Sequence, residues 1–203
     1  MNWEKMLKES AQSIRMNYPS EHFRNKNHYA WWLSQTYHFV RHSTSLLGLA
    51  LPYLRDEKLR AVFEHHLGEE SRHDLLALKD IENLGHSVFE PSRFTEAFYQ
   101  SQYYRIQFQG GEALLGYILF LENLAVTWGK EIYDDLNSVY PKSLLFLRVH
   151  AEEDVSHVSR AIALVEGLSP EAQRVIEENL SYSHQLYLAM LLEGISQRAR
   201  KVA

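Results

Sequence analysis

Apolar residues in this chain recur at intervals of three and four, and this spacing restricts the chain to helical folds. The pattern is clear in the segment 75–84, and no stretch alternates with the period of two that a half-buried strand requires. Five prolines separate segments that are rich in good helix formers. We therefore predict an all-α protein of about seven helices. They cover about residues 3–16, 21–51, 55–84 (any bend being expected at Gly68), 92–109, 112–137, 141–166 and 170–203.

The composition indicates one globular domain that spans residues 1–203. Hydrophobic residues make up 45% of the chain, and no linker or low-complexity segment divides it. The formal net charge is -5 and no basic stripe is visible, which argues against a nucleic-acid partner. The most apolar run, from Ala113 to Val126, is interrupted by Glu122 and Asn123 and is too short to cross a bilayer. Because no secretory signal begins the chain either, we expect a cytoplasmic protein without a membrane partner.

Two polar octets share the same pattern. HLGEESRH runs from His66 to His73 and HAEEDVSH runs from His150 to His157. Both have His first, Glu fourth, an acid fifth and His last. On a helix, positions i, i+4 and i+7 share a face, so each octet would present two imidazoles and a carboxylate along one stripe. A single octet of this kind is usually a solvated surface, but two with equal spacing in apolar surroundings favour a metal site.

Glu122 is the third element of this hypothesis. It lies in LLGYILFLENLAV, where apolar residues surround it at nearly every helical offset. A buried acid must be paired, protonated or bound to a metal. One carboxylate from a third helix would complete a dinuclear site between the two octets. The predicted metal ligands are His66, Glu70, His73, Glu122, His150, Asp154 and His157.

Imidazole and carboxylate ligands without sulfur suit iron, manganese or zinc. The chain contains no cysteine, which excludes disulfides, thiolate zinc sites and thiol nucleophiles. Seven protein ligands shared between two ions leave coordination positions open, as O2-activating iron sites require. We therefore expect two iron ions, or one, with manganese or another divalent metal as the alternative.

These residues resemble the heme-oxygenase-like diiron oxidases and oxygenases. The resemblance covers about three quarters of the chain and is strongest in HAEEDVSH, where His150, Asp154 and His157 match the family's last metal helix. The other segments are YHFVRHSTSLLGLA from Tyr37, HHLGEESRHDLLALKDIENLG from His65, and Glu122. The resemblance implies the helical fold of heme oxygenase and thiaminase II, an iron cofactor, and oxidation of a small organic substrate by O2.

One position departs from that family. Its first metal helix commonly carries Glu seven residues before the His, whereas this chain has His66 there. Glu70, or less readily Glu69, could supply the missing carboxylate. If neither does, one ion would be weakly held or absent.

Several other functions are compatible with the same fold. The main alternative is a metal-free protein that binds a small ligand, or a cofactor oxidase similar to pyrroloquinoline quinone synthase. Thiaminase II chemistry is excluded because it needs a cysteine, which this chain lacks. A heme ligand could come from the N-terminal histidines, although core or capping roles are expected for these. A ferritin-like bundle would need a second lone Glu besides Glu122. The N-terminal histidines considered as heme ligands are His22, His28, His38 and His42.

The last helix is apolar enough to dock a second copy of the chain.

Overall fold

The structure is a computed structural model that describes the backbone of residues 2–202 and the side chains of residues 2–151 and 157–196. This part of the chain is mostly helical and contains no β-strand, so the all-α prediction is confirmed. Its α-helices are α1 (Trp3–Asn17), α2 (Lys26–Val40), α3 (Ser43–Ala50), α4 (Glu57–Glu69), α5 (Asp74–Asn83), α6 (Arg93–Gln109), α7 (Leu114–Leu124), α8 (Lys130–Leu136), α9 (Leu145–Glu166) and α10 (Pro170–Val202). Short 3₁₀ turns occur at Ser20–Arg24, Leu51–Tyr53 and Gly111–Ala113, and a π-helical turn at Ala125–Gly129 joins α7 to α8.

The structure has more helices than the seven predicted because three of the predicted helices are interrupted. The second breaks at Arg41 and His42, between α2 and α3. The third breaks after Glu69, between α4 and α5, and not at Gly68. The fifth changes to π-helical geometry between α7 and α8, a distortion that is frequent at functional sites.

The break between α4 and α5 has a strained backbone. Arg72 has a φ of 71°, and it is the only residue other than glycine with a positive φ among those described. Left-handed geometry costs a residue with a side chain about 1–2 kcal/mol. Such strain persists only where surrounding contacts impose it, and it is commonly found at functional sites. The contacts around the break therefore have to offset the cost of this backbone conformation.

Helix α7 lies at the centre of the packing and contacts α1, α9 and α10. Its buried side chains include Leu115, Leu119 and Phe120. Gly116 lets α10 approach so closely that a Cβ at this position would collide with the carbonyl oxygen of Ile176. Despite its apolar character α7 is short, and no helix in the described residues has both the length and the apolarity needed to span a membrane.

Asp80 of α5 anchors the start of α9. Its Oδ1 accepts a hydrogen bond from the Leu145 amide at 3.0 Å, and its Oδ2 accepts one from the Phe146 amide at 2.8 Å. These amides belong to the first turn of the helix, where backbone donors have no partner within the helix. Asp80 is fully buried. A single side chain from α5 thus caps the first turn of α9, the helix that carries the second octet.

The pKa of Asp80 predicts a pH-dependent contribution to stability. Burial raises this pKa from 3.8 to about 6, although the two amide hydrogen bonds and the charge of Arg148 oppose the shift. The folded protein therefore binds the proton of the Asp80 carboxyl more tightly than the unfolded chain does. The carboxyl favours folding below about pH 4, and its contribution to the free energy of unfolding is lost as the pH rises from about 4 to about 6. We expect the free energy of unfolding of Asp80→Asn to lack this decrease when urea denaturation is measured at several pH values. Equal slopes against pH in both proteins would contradict this prediction.

Candidate metal centre

Two clusters of imidazoles and carboxylates lie inside the helical assembly. The first cluster contains His66, Glu122 and His157, and the second cluster contains Glu70, His73 and His150. Within each cluster the candidate ligand atoms all lie within 4.8 Å of one another. The side chain of Asp154, the seventh predicted ligand, lies outside the described residues.

The break between α4 and α5 distributes the first octet over both clusters. His66 lies in the last turn of α4, Glu70 follows its end, and His73 precedes α5. The predicted stripe along one continuous helix is therefore wrong for these three residues. Because the backbone turns after Glu69, His66 joins the first cluster whereas Glu70 and His73 join the second.

The first cluster joins three helices around one carboxylate oxygen. Oε1 of Glu122 lies 3.6 Å from Nε2 of His66 and 3.7 Å from Nδ1 of His157. The two imidazole rings are nearly perpendicular, with centroids 5.7 Å apart. All three side chains are mostly buried, so α4, α7 and α9 direct their polar atoms into one small interior space.

The second cluster is held partly by a backbone contact. Oε2 of Glu70 lies 3.8 Å from Nδ1 of His73, and the ring centroids of His73 and His150 are 5.0 Å apart. Nδ1 of His150 lies 2.9 Å from the carbonyl oxygen of Phe146. A carbonyl oxygen only accepts hydrogen bonds, so Nδ1 carries the proton and donates it. A neutral His150 therefore has its lone pair on Nε2, the form in which histidine binds metals.

The distances in the first cluster fit ligands of a common ion better than hydrogen bonds. Separations of 3.6 and 3.7 Å between nitrogen and oxygen exceed the usual range for a hydrogen bond. Ligands that each lie about 2.1 Å from one ion are about 3.0–3.5 Å apart at neighbouring coordination positions. Small movements of these side chains would therefore complete such a site. Each cluster offers two imidazoles and one carboxylate, a donor set that is typical of non-heme Fe(II) oxygenases.

The two adjacent glutamates, Glu69 and Glu70, occupy different positions. Glu70 lies between the clusters, since its Oε1 is 3.6 Å from Nε2 of His66 while its Oε2 faces His73. Glu69 lies on the outer side of the first cluster. Its Oε2 lies 3.6 Å from Nδ1 of His66, and its Oε1 lies 3.8 Å from Nε2 of His157. In each imidazole this is the nitrogen that does not face Glu122. Glu69 therefore faces the ring nitrogens on the side away from Glu122, whereas Glu70 lies where both clusters can reach it.

A cavity of about 100 Å³ adjoins both clusters. Its wall contains His66 and Glu122 of the first cluster and Glu70 and His150 of the second. The rest of the wall is mainly apolar and comes from α2, α3, α7, α9, α10 and the π-helical turn. A molecule in this cavity would touch both groups of candidate ligands.

A second cavity, of about 240 Å³, adjoins the first cluster alone. It shares His66, Ile118 and Glu122 with the smaller cavity and also contacts His157. Glu69 and Arg160 contribute charged groups to its wall. None of the residues of the second cluster lines it among those described.

Histidines near the N-terminus make structural contacts. Nε2 of His38 lies 2.7 Å from the carbonyl oxygen of Phe89, and Nδ1 of His42 lies 2.8 Å from the hydroxyl of Tyr103. His42 also stacks on Tyr99. Neither histidine belongs to the two clusters. These contacts agree with the core and capping roles expected from the sequence.

Some residues near the centre were not anticipated from the sequence. Thr36, Tyr117 and Trp128 line the smaller cavity, and sequence patterns treat them as ordinary core residues. Burial and then the charge of Glu70 raise the pKa of Tyr117 well above its usual value, so its hydroxyl keeps its proton. The only available signal was that Tyr117 lies in the same apolar segment as Glu122 and that Trp128 follows this segment by two residues.

Solved structures share this arrangement of helices. A domain of unknown function with a heme oxygenase-like fold from Shewanella denitrificans OS217 is 22% identical, with a TM-score of 0.85 over 97% of this chain and 91% of that one. A TenA homologue from Pyrococcus furiosus is 14% identical, with a TM-score of 0.75 over 95% of this chain and 100% of that one. The protein therefore has the heme oxygenase-like fold, as the resemblance implied.

The family follows from the sequence match. Residues 30–185, more than half of the chain, match the family described as iron-containing redox enzyme. The chain belongs to this family, which confirms the resemblance noted above. The sequence matches no curated protein.

Proposed function

We propose that this protein is a non-heme diiron oxidase or oxygenase that uses O2 to oxidise a small organic substrate. The observation that carries the proposal is the pair of clusters between the helices, each with two imidazoles and one carboxylate. Membership of a family of iron-containing redox enzymes supports iron as the metal. Bound Fe(II) would supply open coordination positions and the electrons that activate O2.

The residues of the chain have separate roles in this proposal. His66, His157 and Glu122 would hold one ion, while His73 and His150 would hold the other. Glu70 has one oxygen facing His66 and the other facing His73, and it would supply the carboxylate in the place of the glutamate that His66 replaces. Asp154 is proposed as a further ligand from its position in the second octet. Burial of the clusters limits access of bulk water to the reacting groups.

Anaerobic titration with Fe(II) tests this proposal. Metal-free protein should bind about two equivalents, one for each cluster. Exposure of the loaded protein to O2 should then give a transient visible absorption. Binding of clearly fewer than two equivalents, or no spectral change with O2, would contradict the proposal.

The two adjacent glutamates give a sharper prediction. Glu70→Ala should release at least one ion, because both clusters lose a carboxylate oxygen. Glu69→Ala should keep two equivalents but weaken one of them by about 10–100-fold, the usual effect of removing a partner that orients a ligand. The measurement is Fe(II) titration against a competing chelator.

His65→Ala is the matched control for this pair. Nε2 of His65 lies 3.1 Å from Glu69 on the exposed side, so its removal changes a neighbour of Glu69 without touching either cluster. Both iron affinities should stay within about threefold of those of the unmodified protein. Loss of an ion from Glu69→Ala but not from Glu70→Ala would reverse the two roles.

A metal-free ligand-binding protein is the second candidate function. The mainly apolar cavity beside the clusters favours it, since such a cavity could hold a small molecule without any ion. In that case the clusters would be polar networks in the core. Metal analysis of protein purified without chelators separates the two candidates.

A further inference from the structure

Helix α7 is buried along nearly all of its length, with two exceptions. Ile118 and Leu121 are the α7 residues that are only partly buried. Both side chains line the cavity of about 100 Å³, and Ile118 also lines the cavity of about 240 Å³. Ile118 therefore keeps accessible surface in the middle of a buried helix because it borders two empty spaces.

Three side chains belong to both cavity walls and form the partition between the two spaces. They are His66, Ile118 and Glu122. His66 and Glu122 are members of the first cluster, so a bound ion would hold both of them in place. Ile118 lies one helical turn before Glu122 on the same face of α7, and its side chain has no atom that binds a metal. It is therefore the member of the partition that can change size without loss of a candidate ligand.

The two cavities differ in what they reach. The smaller cavity contacts both clusters, so a molecule held there could react at a centre of two ions. The larger cavity contacts the first cluster and extends toward solvent, since Val62 in its wall is 43% exposed. Its inner wall is apolar and contains the buried side chains of Phe63, Leu115 and Ala161. An apolar chain that passed Ile118 from the smaller cavity would therefore enter a larger space with apolar walls.

The smaller cavity by itself has little room. A cavity of about 150 Å³ is sufficient for benzene, so a cavity of about 100 Å³ suits a compound of similar or smaller size. We propose that Ile118 determines the size of the substrate, because its side chain closes the smaller cavity toward the larger one and so excludes long apolar chains. The identification of this ligand as the substrate rests on the proposed oxidase function, whereas the separation of the two cavities does not.

Straight-chain alcohols test this partition, because butanol and octanol differ only in the number of methylene groups. Each further methylene that enters an apolar space raises the affinity about fourfold. Both alcohols are titrated into the metal-free full chain, and the methyl signals of its valines are followed by NMR. Val40 lines the smaller cavity alone and Val62 lines the larger cavity alone, so each signal reports one space. The variants Val40→Ile and Val62→Ile assign the two signals.

The Kd of octanol relative to that of butanol gives the result. In the unmodified protein the Val40 signal should report octanol binding no tighter than butanol binding, because the smaller cavity has no room for the longer chain. In Ile118→Ala the Val40 and Val62 signals should report one common Kd for octanol, at least about tenfold tighter than that for butanol. The same ratio in both proteins would overturn the proposal. If the variant does not fold, the unmodified protein decides, since octanol binding at Val40 that is tighter by about fourfold per added methylene would also overturn it.

Leu121→Ala is the matched control. It removes the same number of carbon atoms from the same helix as Ile118→Ala, but Leu121 lines only the smaller cavity. At Val40 the two alcohols should still bind this variant within about threefold of each other. An octanol affinity raised as much as in Ile118→Ala would show that added volume, and not an opening between the cavities, explains the effect, which would overturn the proposal.

The same titrations in the presence of Zn(II) place ions in the clusters. Zn(II) suits imidazole and carboxylate ligands and has no unpaired electrons, so it leaves the NMR signals sharp. Octanol should remain the tighter ligand of Ile118→Ala, and loss of this difference with Zn(II) would overturn the role of Ile118 in the metal-bound protein. Failure of Ile118→Ala to join the cavities, in protein that takes up two equivalents of Fe(II), would overturn this inference and leave the oxidase proposal intact. Joined cavities in protein that takes up no iron would refute the oxidase proposal while supporting the partition.

Discussion

Replacing Gly116 with alanine is expected to destabilise the protein by more than about 3 kcal/mol, a large share of the stability of a typical domain. A Cβ at this position would collide with the carbonyl oxygen of Ile176 and would lie 2.8 Å from the amide nitrogen of Leu180. Both are backbone atoms of α10, so no side-chain rotation can remove the clash. The two helices would have to separate. Urea denaturation measures the expected loss as a lower midpoint.

Gly48→Ala is the control for this effect. Gly48 lies inside α3, and no atom outside the local helix backbone lies within 4 Å of a Cβ placed there. Alanine is favoured over glycine in a helix interior by about 1 kcal/mol, so this variant should be more stable than the unmodified protein. Similar urea midpoints for the two variants would refute the close approach of α7 and α10 at Gly116.

Glu122→Gln is expected to reduce iron binding from about two equivalents to about one. Oε1 of Glu122 is the oxygen that faces both His66 and His157, and an amide oxygen is a much weaker ligand than a carboxylate. The reaction of the loaded protein with O2 should slow by at least about 100-fold, since loss of a partner that merely orients a ligand already costs 10–100-fold. Anaerobic Fe(II) titration and stopped-flow absorption after mixing with O2 measure the two effects.

The same substitution should not destabilise the metal-free protein. An amide of nearly the same shape fills the same space and costs less to desolvate than a carboxylate. Iron retention with lower stability would therefore identify Glu122 as a structural residue and not a ligand. A metal ligand is therefore expected to lose iron without loss of stability, whereas a residue that stabilises the core is expected to lose stability without loss of iron.

Glu112→Gln provides the matched control for Glu122→Gln. Glu112 is another buried acid, and its Oε1 accepts a hydrogen bond from the Arg55 amide at 2.9 Å. It belongs to neither cluster. The glutamine side chain can still accept this hydrogen bond, so iron binding should remain at about two equivalents. Loss of iron from this control would show that any buried carboxylate substitution disturbs the site.

Periodicity predicted most helix positions but not the interruptions within them. Helices α1, α6 and α10 agree closely with the prediction because local apolar spacing, N-terminal caps and prolines specify them. The break before α5 follows good helix formers, and the sequence suggested no more than a bend at Gly68 in one continuous helix. The left-handed backbone of Arg72 is unfavourable locally, so tertiary contacts must impose it.

Donor chemistry and helical spacing in the sequence were sufficient to predict six residues that lie in the two clusters. The same patterns could not distinguish Glu69 from Glu70, because both are glutamates and lie three and four residues after His66, and on a helix both spacings place a side chain beside His66. Their separation arises where α4 ends, with Glu70 between the clusters and Glu69 outside the first. The cavity wall was also beyond prediction, since Thr36, Trp128 and Tyr187 come from distant parts of the chain.

The amino-acid sequence by itself determined that this protein is helical, that its candidate ligands are nitrogen and oxygen atoms, and that thiol chemistry is absent. These are local properties, since helix propensity and donor type belong to single residues and short segments. The tertiary structure alone decided that Glu122 lies between His66 and His157 and that one cavity reaches both clusters. Those relations depend on how α4, α7 and α9 pack against one another, and packing joins residues that no local pattern connects.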